Sequence, residues 1–166
     1  MSTLADRPTK VALRSAMEAR DLAGVLDAFA PDAILRSPFT SRLAFQGREQ
    51  VSAVMEVILE IFEDLHYTDE LQGADSAVLV ATTQVGGSEL EMVDHLRFNE
   101  DGKISELTVF FRPLPAVAVA MRLIGSGLGR RKSKARAQAI SMLTQPLGLM
   151  TEMGDRAGVR LVSPAL

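Results

Sequence analysis

The sequence predicts an α+β fold, with helices on one face of a mainly antiparallel sheet and a helical extension behind them. Two observations predict it. Apolar residues recur at helical spacing in three early stretches and then at period two in four successive runs. Those runs are joined by short turns rich in Gly and Asp, at Gln72–Asp75, Gly86-Gly87 and Asn99–Gly102. Helices followed by a run of hairpins are the pattern of segregated layers rather than of alternating βαβ units.

The clearest stretch is the hairpin Leu90–Phe111. On its first strand Leu90, Met92, Asp94, Leu96 and Phe98 share one face, and Val93, His95 and Arg97 share the other. On its second strand Leu107, Val109 and Phe111 share a face with Ser105, opposite Glu106, Thr108 and Phe110. The turn Asn99-Glu100-Asp101-Gly102 places a glycine where φ > 0 is needed. One face of the first strand is thus apolar except for Asp94. A carboxylate there costs free energy unless it is hydrogen-bonded, paired or protonated, which singles Asp94 out.

The other elements follow in chain order. Residues 8–20 fit a first helix, with Pro8 in the first turn and Val11, Leu13 and Met17 near helical spacing. Asp21 is placed to cap a second helix, Leu22–Phe29, which Pro31-Asp32 ends. Ala33–Arg36 reads as a short strand and Thr40–Gln46 as a loop. A third helix over about Arg48–Asp64 carries the stripe Val51, Val54, Met55, Ile58, Leu59 and Phe62. Strands at His66–Leu71 and Ala77–Val85 lead into the hairpin.

Length, charge and composition set the bounds. A chain of 166 residues with 47% apolar residues fits one domain with a real core. There is no Cys, so disulfides and thiolate metal sites are excluded; two His add too little for a protein-held metal, and no cofactor is expected. The first residues, MSTLADRPTK, lack the apolar run of a signal peptide, and no stretch reaches the length of a spanning helix, so a cytoplasmic location is expected. Residues 1–112 hold 10 Lys/Arg against 19 Asp/Glu, a balance of −9, while residues 113–166 hold 8 against 2, a balance of +6. The chain therefore divides into an acidic core, 1–112, and a basic, apolar extension, 113–166.

In that extension Leu114–Ile124 fits a helix. Gly125-Ser126-Gly127-Leu128-Gly129 follows a helix rather than a strand, so it reads as a hinge and not a phosphate-binding loop. The basic run Arg130–Arg136 leads to a second helix over Ala137–Met153, interrupted at Pro146-Leu147-Gly148. Three roles compete: packing on the core or on a second copy, contact with an anionic membrane surface, or disorder beyond about residue 128. Nucleic acid is not an expected partner, because the core is acidic and the basic run holds no aromatic residue.

The strings DLAGVLDAFAPDAILRSPF (21–39), FQGREQV (45–51) and VDHLRFNEDGKISEL (93–107) resemble the nuclear transport factor 2-like superfamily, closest to its ketosteroid isomerases and SnoaL-like cyclases. The resemblance spans residues 8–112. It implies a curved sheet wrapped round three helices as a cone with an apolar pocket, and frequent pairing of two copies through the convex sheet face. Val93, His95, Thr108 and Phe110 lie on that face here, and a homodimer is expected. The isomerases carry an Asp base before the Pro-Phe dipeptide, where this chain has Ser37, and a Tyr donor on the first helix, where it has Leu13. Their protonated Asp matches Asp94. The acid that SnoaL-like cyclases and limonene epoxide hydrolases place on the last strand falls on Val109, and the hydrolases' Arg-x-Asp pair is absent from Ala77–Val85.

The chemistry of the isomerase is therefore not expected. The reading is a cone that binds a small apolar, steroid- or polyketide-like molecule. The residues expected to line it are Asp94, Tyr67, His66 and Ser37 with Leu13, Met17, Met55, Leu90, Met92, Leu96, Leu107, Val109 and Phe111. An isomerase, cyclase or hydrolase using Asp94 as its catalytic acid is the alternative, and a structural dimeric module is another. Asp94 has a plainer reading as a buried acid satisfied by a neighbouring hydroxyl or amide. His95 points away from Asp94 by strand alternation. Of His66 and Tyr67, one must face inward.

Overall fold

The computed structural model describes residues 8–162. The reading of the first seven residues lies outside the described part, as do the side chains of Pro8 and Val11. Eleven elements follow one another: α1 Pro8–Glu18, α2 Leu22–Ala28, β1 Phe29–Arg36, β2 Ala44–Gln46, α3 Gly47–Ile61, β3 Phe62–Gln72, β4 Ser76–Val85, β5 Ser88–Phe98, β6 Ile104–Arg112, α4 Leu114–Arg130 and α5 Lys134–Val162. The six strands form one curved sheet in the order β2-β1-β6-β5-β4-β3, antiparallel except for the β1–β6 pair. This is the expected α+β cone with a C-terminal helical extension.

The hairpin forms as the alternation predicts. Leu90, Met92, Asp94, Leu96 and Phe98 are all buried, and Gly102 has φ +75° in the turn. A register shift beside Arg97 puts Ile104, rather than Ser105, into the core at the start of β6. The sheet bends at two bulges in β3, between Glu63 and His66 and between Tyr67 and Asp69; Asp64 takes a left-handed φ of +51° at the first. The helices α1, α2 and α3 fill the hollow with Leu13, Met17, Val25, Val51, Val54 and Met55, each at most 5% exposed.

Five expectations need correction. The third helix stops at Ile61 rather than near Asp64, and β3 begins at Phe62 rather than His66. The second helix stops at Ala28, and β1 begins at Phe29 rather than Ala33, because Pro31 is tolerated where the β1–β6 register shifts between Phe29 and Ile34. The Thr40–Gln46 loop ends in β2, a three-residue strand too short to show a period. Asp21 occupies the N-cap position of α2 but its side chain makes no capping bond. The extension is neither hinged nor disordered in the described residues: α4 runs through the glycines, and α5 runs through Pro146 along a solvent-exposed stretch where one missing N–H is tolerable.

The glycines serve packing instead. A Cβ on Gly127 would lie 2.5 Å from Val57 Cγ1 of α3, and one on Gly129 would lie 3.1 Å from the Ala137 backbone of α5. Glycine thus brings α4 against both neighbours, and Ala116, Ala120 and Ile124 of α4 join the central core. The basic run meets the acidic face of α3, with Arg130 3.3 Å from Glu60 and Arg131 paired with Glu56. Such exposed pairs contribute little, about 0–1 kcal/mol each. The same substitution should have opposite signs along the extension. Gly148→Ala, with open space around it, should gain about 0.5–1 kcal/mol in helix propensity. Gly127→Ala should lose about 1–3 kcal/mol, because the clash with Val57 outweighs that gain. Denaturant titration of both variants checks the pair.

Candidate functional site

The hollow between α1, α3 and the concave sheet face narrows to a cavity of about 30 Å³. Its walls are Leu13 and Met17 from α1, Met55 and Ile58 from α3, Leu35, Phe62, Met92, Leu107, Val109 and Phe111 from the strands, and two polar residues, Tyr67 and Asp94. That volume is about the share of one water molecule. Rings close it on one side: Phe111 lies 5.7 Å from Phe39 and 6.1 Å from Phe62, centroid to centroid.

Strand geometry brings the two polar residues together. Asp94 sits at the middle of β5 opposite Leu79 and Val109, and Tyr67 enters from β3 opposite Ala81, which pairs with Met92. The Asp94 and Tyr67 side chains both reach the same cavity. Tyr67 is held from α1: its N–H donates to Glu18 Oε1 at 3.1 Å, and the Arg14 guanidinium stands 5.7 Å over its ring. Arg14 in turn pairs with Glu70 at 3.1 Å.

Asp94 is 4% exposed and Tyr67 3%. Burial pushes the Asp94 carboxyl up from 3.8 to about 7, and the facing Tyr67 hydroxyl pulls it back part of the way. Burial, then the negative charges of Asp94 and Glu18, push the Tyr67 phenol well above its ordinary range. The phenol therefore keeps its proton. The two groups face each other near enough to perturb one another, yet the Tyr67 oxygen closes no hydrogen bond of ordinary geometry. Below pH about 7 the cavity thus holds a phenol and a neutral acid side by side on a wall whose other described residues are apolar. A hydroxyl and a neutral acid so placed can hold one acceptor oxygen.

Nine of the thirteen residues expected at the site line this cavity: Asp94, Tyr67, Leu13, Met17, Met55, Met92, Leu107, Val109 and Phe111. Four do not. His66 points outward, as alternation requires once Tyr67 is inside; its side chain is 73% exposed, 3.7 Å from Glu18. Leu90 and Leu96 have the right face but are packed wholly into the core nearer the strand ends. Ser37 lies beyond Phe111, and its hydroxyl accepts the Phe39 N–H at 3.2 Å. The expectation missed Leu35, Ile58 and Phe62. Ile58 was legible in the apolar stripe of the third helix and Leu35 in the short strand before Ser37, while Phe62, read as the end of that stripe, reaches the cavity as the first residue of β3.

Comparison with known proteins agrees with this architecture. The family model of the SnoaL-like domain matches residues 11–107. The chain belongs to the SnoaL-like family, within the nuclear transport factor 2-like superfamily. A steroid delta-isomerase from Pseudomonas aeruginosa is 30% identical with a TM-score of 0.67, over 81% of this chain and 98% of that one. A cystatin-like-fold protein from Silicibacter pomeroyi is 21% identical with a TM-score of 0.69, over 82% and 94%. A SnoaL-like protein from Burkholderia thailandensis is 19% identical with a TM-score of 0.55, over 68% and 99%. None of the curated proteins matches. The family match ends at residue 107, inside β6, so the α4–α5 extension lies outside the matched segment. No helix among the described residues is long and apolar enough to cross a membrane.

Proposed function

We propose that this SnoaL-like domain binds a small apolar molecule, of steroid- or polyketide-like character, through one acceptor oxygen held by Asp94 and Tyr67. The observation that supports the reading is a buried Tyr67 hydroxyl with no hydrogen bond of ordinary geometry, beside the buried Asp94 carboxyl on an otherwise apolar wall. A buried hydroxyl without a partner costs stability, and a ligand oxygen would supply the partner. Among the described residues the cavity wall holds no His and no second carboxylate to act as a base. Ser37, where the isomerases carry their Asp base, is turned to its own loop. Both features support binding without the isomerase reaction. The second reading, an isomerase, cyclase or hydrolase with Asp94 as acid, is favoured by the 30% identity to a steroid delta-isomerase. In that reading the donor pair would stabilise an enolate-like oxygen. Pairing of two copies through the convex face belongs to either reading, supported by Phe110, which is 56% exposed there.

Calorimetric titration with 2-octanone at pH 6 tests the contact. Asp94→Leu should weaken binding about tenfold, since it removes a donor from a buried acceptor, and Asp94→Asn should weaken it less. Wild-type affinity should fall as pH rises through 7, because the ionised carboxylate repels a carbonyl oxygen. Unchanged binding by Asp94→Leu would refute the role given to Asp94.

A further inference from the structure

On the far side of Phe111 lies a second space of about 270 Å³. Leu35, Ile58, Val109 and Phe111 are walls of both this space and the inner cavity, so the two are separated by side chains and not by backbone elements. Its outer boundary is built by parts the SnoaL-like match does not include: Met121, Ile124 and Leu128 of α4, and Ile140 and Thr144 of α5. The β1–β2 loop closes it with Pro38, Phe39 and Leu43. None of the described residues that line it is charged. Its hydroxyls are bound locally: Thr144 Oγ1 donates to Ile140 O at 2.8 Å, Ser37 Oγ accepts from Phe39 N–H, and Thr40 Oγ1 accepts from Arg42 N–H.

Resting on the reading of Asp94 and Tyr67 as oxygen-holding donors, we propose that the α4–α5 extension supplies an outer subsite for the hydrocarbon body of the ligand, with Phe111 as the movable partition. The inner cavity has room for little more than one oxygen-bearing group. The outer space has room for an apolar chain or ring, and together they reach the lower end of ordinary small-molecule sites, about 300 Å³. Phe111 is only half-buried and holds its place through ring contacts with Phe39 and Phe62 rather than through polar bonds. Rotation about its side-chain bonds would join the two spaces without moving the sheet. The part of the occupant in the outer space is therefore its apolar body, with the held oxygen at one end. The extension thereby decides which such ligands bind.

The test is a homologous series of linear 2-alkanones, from 2-hexanone to 2-decanone, titrated into the full chain. Wild-type affinity should rise with each added methylene, up to about fourfold, until the outer space is full. Thr144→Phe, which fills that space from a half-buried position on α5, should flatten the rise, weakening 2-decanone far more than 2-hexanone. Phe111→Ala should bind the longer ketones at least as well as wild type, since the partition is gone. The same series in Asp94→Leu separates the two proposals. A length dependence kept at lower affinity supports both; one kept at wild-type affinity overturns the oxygen contact and leaves the outer subsite standing. No length dependence in the wild type overturns the subsite, as does an undiminished one in a folded Thr144→Phe. If Thr144→Phe fails to fold, Leu128→Phe fills the space from α4 and is read by the same outcomes.

Discussion

Asp94→Asn is expected to melt roughly 10 °C above the wild type at pH 8, and close to it at pH 4. The cause is the cost of ionising a carboxyl at a site 4% exposed. In the folded chain Asp94 holds its proton up to about pH 7; in the unfolded chain it releases it near 3.8. Between those values the folded state binds more protons than the unfolded one, so wild-type stability falls as pH rises through the window and levels off above it. The loss is on the order of 4 kcal/mol, which for a chain of this size corresponds to the stated shift. Asparagine keeps the shape and cannot ionise, so its variant lacks that slope. Other titrating groups, such as Glu106 beside Arg36, act on both proteins and cancel in the difference. Thermal melts from pH 4 to pH 8 decide the matter. Parallel curves for the two proteins would mean that Asp94 is already ionised and satisfied in the fold.

Sequence alternation located that acid without help from the structure. Strand period two, a glycine in the turn and one carboxylate on an apolar face were enough to place Asp94 inside the cone and His95 outside it. The same rule put either His66 or Tyr67 inside but could not choose between them, because bulges on both sides of the pair reset the phase of β3. The side chains that hold Tyr67, Arg14 and Glu18, come from a helix about 50 positions away, and no local pattern announces such contacts. Leu90 and Leu96 show the limit of face arguments. A face says inside or outside, and only the helices packed on it decide which inward residues reach a cavity. The extension was misread for a related reason. Five residues Gly125–Gly129 rich in glycine look like a break by propensity, yet their missing side chains let α4 approach Val57 and Ala137, and that packing outweighs the propensity cost.

Tyr67→Phe should stabilise the chain by about 1–3 kcal/mol at pH 5, where Asp94 is neutral. The substitution removes a buried hydroxyl that closes no hydrogen bond of ordinary geometry while Asp94 is neutral, and keeps the ring against Arg14. The gain should shrink at higher pH. The Tyr67 hydroxyl is the group that draws the Asp94 pKa down, so its removal pushes that pKa above about 7. The fall of stability with pH, which in the wild type is complete near 7, then continues further, and the two proteins converge or cross above pH 8. In Tyr67→Phe/Asp94→Asn the pH-dependent part should vanish while the acid-pH gain remains. Ligand affinity should move the other way, because the variant presents one donor to the acceptor oxygen instead of two. Stability rising while binding falls is the pattern of a group kept for a contact the free chain does not make. Melts of the single and double variants, with the Asp94 carboxyl followed by carbon NMR, read both effects. A loss of stability at pH 5 would mean that the Tyr67 hydroxyl already has its partner within the fold, leaving no unmet donor for a ligand to satisfy.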